Sequence, residues 1–143
     1  MSWQTPKVDW SGATDSEGVY VGDRFNAKDF NRIKNNLEYL RELAITMYDD
    51  FSIHTLGEDR TTADYFYADE INRLEENLNT INEKSIKRSY GSPPTYYDNG
   101  NVMGFTELNR LEGAILDLYD RLSNQSDGRR TFTWSFGMRG GDL

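Results

Sequence analysis

Apolar residues recur along this chain in steps of three and four, in three separate stretches. The first stretch is Phe30, Ile33, Leu37, Leu40, Ala44, Met47 and Phe51, the second Ile71, Leu74, Leu78 and Ile81, and the third Leu108, Leu111, Ile115, Leu118 and Leu122. That spacing puts each set on one face of a helix and predicts helices near residues 27–51, 69–86 and 106–123. The stripes are narrow, as suits helices that meet at shallow angles, and two to four heptads per copy make a short bundle rather than a long coiled coil. Asn26 followed by Asp29 reads as a cap for the first helix. The later copies keep the acids (Asp69, Glu70, Glu107) but put Tyr67 and Gly104 where Asn26 stands, so their caps are weaker. Helices of this length are marginal alone in water. Burial of roughly five apolar side chains per helix, at about 1.5–3 kcal/mol each, has to hold them.

The C-terminal stretch has a period of two. Phe132, Trp134 and Phe136 alternate with Thr131, Thr133 and Ser135, which predicts a strand followed by the glycine-rich tail Gly137–Gly141. A single strand must pair within the chain or with the edge of a neighbour, or stay disordered. The expected fold is mainly α: three repeated helices with extended aromatic arms, forming a short bundle, plus a C-terminal β-strand. Residues 1–24 form an N-terminal aromatic arm, 25–126 the three-helix repeat region, and 127–143 the strand and tail.

An Asn-Arg pair stands at the same phase in each helix: Asn31-Arg32, Asn72-Arg73 and Asn109-Arg110, separated by 41 and 37 residues. The likeness runs from Phe25, Phe66 and Met103 to Leu40, Ile81 and Leu118. Repetition at this period points to stacked units, none of which buries its apolar face alone. Between the helices lie aromatic, turn-rich arms, Trp3 to Phe25, Ser52 to Phe66 and Tyr90 to Phe105, which are long connections for a compact domain. The expectation is that each Arg bonds the arm preceding its helix and each Asn bonds backbone there, fixing the register of arm on helix. The alternative is an Arg paired with the acid three residues earlier, as Asp29 with Arg32.

Composition narrows the function classes. Only 36% of the 143 residues are apolar and mean hydropathy is −0.79, so the interior is thin or shared with another chain. A net charge of −8, from 24 acidic and 16 basic residues, disfavours phosphate backbones and anionic membrane surfaces, and nucleic acid is not expected as a partner. The absence of Cys removes disulfides and thiolate metal sites. The opening residues lack the basic and apolar regions of an export signal, and no stretch reads as a membrane span. His54 is the only histidine, and Glu38, Glu42, Glu75, Glu76, Glu83 and Glu112 read as solvated charge on polar faces. Asp15-Ser16-Glu17-Gly18 with Asp23 lacks the spacing of a calcium loop. No enzyme activity, cofactor, metal or catalytic residue is expected. Three Trp and nine Tyr, many of them between the helices, leave carbohydrate binding as the alternative class, with host surface glycan as the ligand. Exposed Trp3 and Trp10 would favour it, and buried ones would not.

The opening Trp3-x-x-Pro6-Lys7-x-Asp9-Trp10, followed by Phe25-Asn26-x-x-Asp29-x-Asn31-Arg32-Ile33-x-x-Asn36-Leu37-x-x-Leu40, resembles small tail-associated proteins of phages and prophages of Gram-positive bacteria. The resemblance is good over residues 3–43; residues 60–84 and 97–122 share it only through the internal repeat. The third copy departs from it, with Gly113-Ala114 where the first has Asn35-Asn36. The resemblance implies a virion structural protein of the tail, baseplate or fibre, located in the virion and in the host cytoplasm during assembly. It would act as a homo-oligomer and with other tail proteins, with Trp3, Trp10, Phe132, Trp134 and Phe136 as interaction residues.

Overall fold

The computed structural model describes residues 3–12, 14–19, 22–23, 25–61, 68–91, 95 and 104–138, with side chains as far as residue 127. Among the described residues there are three helices: α1 (Ala27–Ile45), α2 (Ala68–Glu83) and α3 (Phe105–Met138). They form one bundle in which each helix touches the other two. The stripes read from sequence are its interior: Phe30, Ile33, Leu37, Leu40, Leu74, Ile81, Leu108, Leu111, Ile115, Leu118 and Leu122 are almost fully buried. Ile71 packs against this core from a partly buried position.

Boundaries differ from expectation at three helix ends, least at α2, which stops at Glu83 rather than 86. The capping box at Asn26 starts α1 as predicted, with the Asn26 N–H donating to Asp29 Oδ2 at 2.9 Å. The helix then stops at Ile45 rather than running to residue 51. The Thr46 hydroxyl donates to the Leu43 carbonyl, the N–H groups of Met47 and Tyr48 close on Ala44, and the Phe51 carbonyl accepts from Arg41 Nε. These bonds satisfy the last carbonyls of α1 and bring Phe51 back onto the core as part of the following arm.

The difference at the end of α3 is a correction. Residues 131–136, expected as a strand, belong to α3, which continues to Met138, and no strand of any length appears among the described residues. A strand needs a partner ladder for its N–H and C=O groups, whereas a helix already nucleated upstream satisfies each added residue internally. With 34 residues, α3 is about 51 Å long and its last turns extend beyond Leu122, the last buried position among the described side chains.

Candidate functional site

Two extended segments lie along the grooves between helices, and both are held by asparagine. In the groove between α1 and α3, the Asn36 side chain accepts from the Gln4 N–H (2.9 Å) and donates to the Gln4 carbonyl (2.7 Å). Six residues further on, Asn109 does the same to Trp10, accepting at 2.7 Å and donating at 3.0 Å. In the groove between α1 and α2, Asn77 takes both backbone groups of His54 (2.7 and 3.0 Å). Again six residues on, Asn31 takes both backbone groups of Arg60 (2.7 and 2.9 Å). A primary amide carries one donor and one acceptor side by side, so it pairs with a peptide unit as a neighbouring strand would. The clamped backbone groups of both straps are thereby paired without a strand ladder.

The centre of each strap rests on a buried charge. Glu112 is fully buried and takes four donors: the Lys7 N–H (3.0 Å), the Trp10 Nε1–H (2.6 Å), and Arg32 through Nε and a terminal nitrogen at 2.7 Å each. The Arg32 guanidinium also stacks 5.9 Å from the Trp10 ring and bonds Asp29 at 2.9 Å. Burial opposes the charge on Arg32, but the Glu112 carboxylate more than offsets it and holds the guanidinium above its ordinary value. Under the second strap the corresponding place belongs to Lys34, 4% exposed, whose ammonium donates to the Gly57 carbonyl (2.9 Å) and pairs with Asp59 (3.0 Å). Hydrogen bonds from Asn35 and Lys34 hold the Asp59 carboxyl below its ordinary value.

The groove between α2 and α3 is built from the same parts. Arg110 bonds Glu75 and Glu107, and it reaches the Tyr90 carbonyl at 3.3 Å. Gly91 has φ +84°, and a Cβ there would stand 3.0 Å from Arg110 Cδ, so close approach and a left-handed backbone both require glycine. Glu75 is 4% exposed and its second carboxylate oxygen has no hydrogen-bond partner. Burial pushes its carboxyl above the ordinary value against the pull of Arg110. The Tyr90 hydroxyl donates to Asp117 at 2.7 Å, and burial followed by that carboxylate raises the phenol well above its ordinary range.

The six residues expected to set the register of arm on helix are thus partly placed. Asn31 and Asn109 bond arm backbone, but not in the arm expected: Asn31 holds the arm after its helix and Asn109 holds the first arm rather than the one preceding α3. Asn72 is engaged rather than free. Arg32 and Arg110 combine both readings, pairing with the acid three residues earlier while touching an arm through Trp10 or Tyr90. Arg73 is 48% exposed and among the described residues approaches Asp69, at 3.7 Å; the arm directly ahead of its helix, residues 62–67, which it was expected to bond, lies outside the described residues. Glu75 and Glu112, read from sequence as solvated, are among the most buried charges.

Of the expected interaction residues, Trp10 is 4% exposed, between Phe25 and Phe105. Trp3 is half-buried, stacked on Tyr119 with centroids 3.9 Å apart and tilted against Tyr39 at 5.7 Å. Phe132, Trp134 and Phe136 lie in the last turns of α3, and their side chains fall outside the described residues.

The clamping residues that sequence reasoning missed do carry a signal. Asn36 and Asn77 both stand five residues after the Asn of an Asn-Arg pair. Placing Trp3–Trp10 over Ile53–Arg60 matches Thr5 with Thr55 and Asp9 with Asp59, and puts the buried Pro6 over the buried Leu56.

Among the described residues no group of three or more His, Cys, Asp or Glu is placed to hold a metal ion, and no helix is long and apolar enough to cross a membrane. No known protein family, curated protein or solved structure matches this chain.

Proposed function

We propose that this chain is a virion structural protein acting in tail, baseplate or fibre assembly, through oligomerisation and docking of its terminal arms. The supporting observation is where its polar chemistry goes. Asparagine amides and buried ions grip extended backbone in the grooves between helices, which is a means of binding chain segments. The opening motif that resembles phage tail-associated proteins lies on the strap held by Asn36, Asn109 and Glu112. In this reading the three Asn-Arg helices are repeats of one unit, each presenting a groove for an arm. The carbohydrate alternative loses its main support, because Trp10 is buried and Trp3 is covered by Tyr119.

Absolute mass in solution, by light scattering after size exclusion, tests the proposal on the full chain and on a chain ending at Asp127. A trimer or hexamer that falls apart on truncation supports assembly through the end of α3. A monomer in both, at all concentrations, overturns the oligomeric reading.

A further inference from the structure

The strap ahead of α1 and the strap ahead of α2 share one register but differ in slack. From the clamped Arg60 to Asn72 of its own helix the chain takes 12 residues; from the clamped Trp10 to Asn31 it takes 21. Nine residues are therefore surplus to what the geometry needs. The surplus is closed off by a pinch: the Ser11 N–H donates to Asp23 Oδ2 at 2.9 Å, and the Asp23 N–H donates to the Ser11 carbonyl at 2.9 Å. Within the pinch the chain turns at Asp15–Val19, where the Asp15 carboxylate accepts from the N–H groups of Glu17 and Val19. The second strap has helices at both ends and cannot leave its groove without opening the bundle. The first has a helix at one end only among the described residues.

We infer that the segment from Trp3 to Trp10 is exchanged between copies of this chain, the groove between α1 and α3 of one copy taking the strap of the next. This rests on the assembly reading above and names its partner, a second copy. The groove is already shown to fit the segment. Its anchors, the Asn36 and Asn109 amides, the Glu112 carboxylate and the pocket for Trp10, all belong to the groove, so they bind the same atoms whichever copy supplies them. Opening the Ser11–Asp23 pinch frees residues 12–22, which extended span roughly 36 Å. A three-helix bundle with neighbouring axes about 10 Å apart is narrower than that. Exchange therefore swaps like contacts for like, apart from the pinch and the Asp15–Val19 turn, and concentration decides the outcome. A head-to-tail exchange of this kind closes into a ring where the rotation between copies permits, and otherwise grows into a filament.

Three proteins, refolded over a range of concentrations and sized by light scattering, test this. They are the full chain, Asp23→Ala, which weakens the pinch, and a deletion of residues 13–21, the nine surplus ones, which leaves Gly12 and Gly22 to link the hydrogen-bonded Ser11 and Asp23. The expected result is an oligomer share that rises with concentration in the full chain, rises several-fold further in Asp23→Ala, and vanishes in the deletion while helical circular dichroism is retained. If the deletion assembles like the full chain, exchange is overturned while assembly by another route stands. A deletion that loses its helicity leaves the decision to Asp23→Ala, and an unchanged oligomer share there overturns exchange. Full chain and Asp23→Ala both monomeric at every concentration overturn it as well.

Discussion

Between α1 and α3 a carboxylate, Glu112, stands under the middle of the N-terminal strap; between α1 and α2 the same place is taken by the ammonium of Lys34. The frames around them agree. Each strap is clamped by two asparagines at points six residues apart, and in each case the first clamp comes from the helix that follows the strap in sequence. The difference lies in which half of the peptide unit faces the charge. The first strap offers the Lys7 N–H and an indole N–H to a carboxylate, and the second offers the Gly57 carbonyl to an ammonium. The register is thus carried by the asparagines. The charge beneath has only to match what the strap presents, with its sign free to change.

Reversing the sign under one strap is the strongest way to break this comparison. Glu112→Lys would set a second positive charge beside the Arg32 guanidinium and face two N–H donors with another donor, and it should prevent folding or leave the strap unbound. Glu112→Ala removes the acceptor of four donors and leaves Arg32 buried beside Asp29 alone, at an expected cost of about 3–5 kcal/mol. Chemical denaturation followed by circular dichroism measures both. A Glu112→Lys chain as stable as Glu112→Ala would mean the strap tolerates the wrong sign and the matching rule is mistaken.

The asparagine clamps come next in size. Asn36→Ala, Asn77→Ala, Asn109→Ala and Asn31→Ala each leave one backbone donor and one acceptor without a partner, at an expected cost of about 1–3 kcal/mol apiece. Asn→Asp is the sharper probe. It keeps the acceptor but sets a carboxylate oxygen against a backbone carbonyl, so it should cost at least as much as alanine despite its nearly identical shape. Stability equal to wild type in Asn109→Asp would show that the carbonyl half of the clamp contributes nothing.

How far these features could be read from sequence follows from their physics. The apolar stripes were legible because burial imposes the helical period directly, and Leu37, Leu74 and Leu111 sit where that period puts them. The Asn-Arg pair was legible as a repeated word, but its partners were not. Asn31 and Asn109 bond segments 29 and 99 residues away, and no local pattern encodes which arm enters which groove. The burial of Glu75 and Glu112 was hidden for a related reason: both lie beside the apolar stripe, on a flank that is solvated until a strap covers it. The end of α3 misled by its alternation, since Thr131 to Phe136 has the period of a strand but continues α3, and no strand stands among the described residues to make a ladder.

A smaller effect separates the two buried glutamates. Both oxygens of Glu112 are paired, whereas one oxygen of Glu75 has no hydrogen-bond partner. Burial raises the folded-state carboxyl of Glu75 above its unfolded value, so protonation favours folding. That contribution is full below the ordinary value of 4.5 and is lost as pH rises through the folded value. Glu75→Gln fixes the uncharged form, so its stability relative to wild type should improve between pH 4 and pH 7. Other titrating groups are common to both proteins and cancel in that difference. Urea midpoints of the pair at the two pH values give the sign, and a relative loss with rising pH would show that the Arg110 pairing outweighs burial.

The smallest expected effect concerns Arg73, which tests whether the Asn-Arg word carries stability wherever it occurs. Arg32 reaches across to a buried carboxylate on α3, three residues after Asn109, and Arg110 reaches one on α2, three residues after Asn72. The equivalent position on α1, three residues after Asn31, is Lys34, which repels a guanidinium and is already engaged with Gly57 and Asp59. Among the described residues Arg73 therefore meets Asp69, a half-exposed surface pair at 3.7 Å. Surface pairs of this kind contribute about 0–1 kcal/mol, so Arg73→Ala should change stability by less than about 0.5 kcal/mol, while Arg32→Ala and Arg110→Ala each strand a buried carboxylate and cost several times more. A double change tightens the case. Lys34→Glu would place a carboxylate opposite Arg73 but set it against the Gly57 carbonyl, so it should destabilise in both backgrounds, and Arg73→Ala should become costly only in its presence. That coupling, read from a double-mutant cycle, separates a position that lost its partner from one that never had a role.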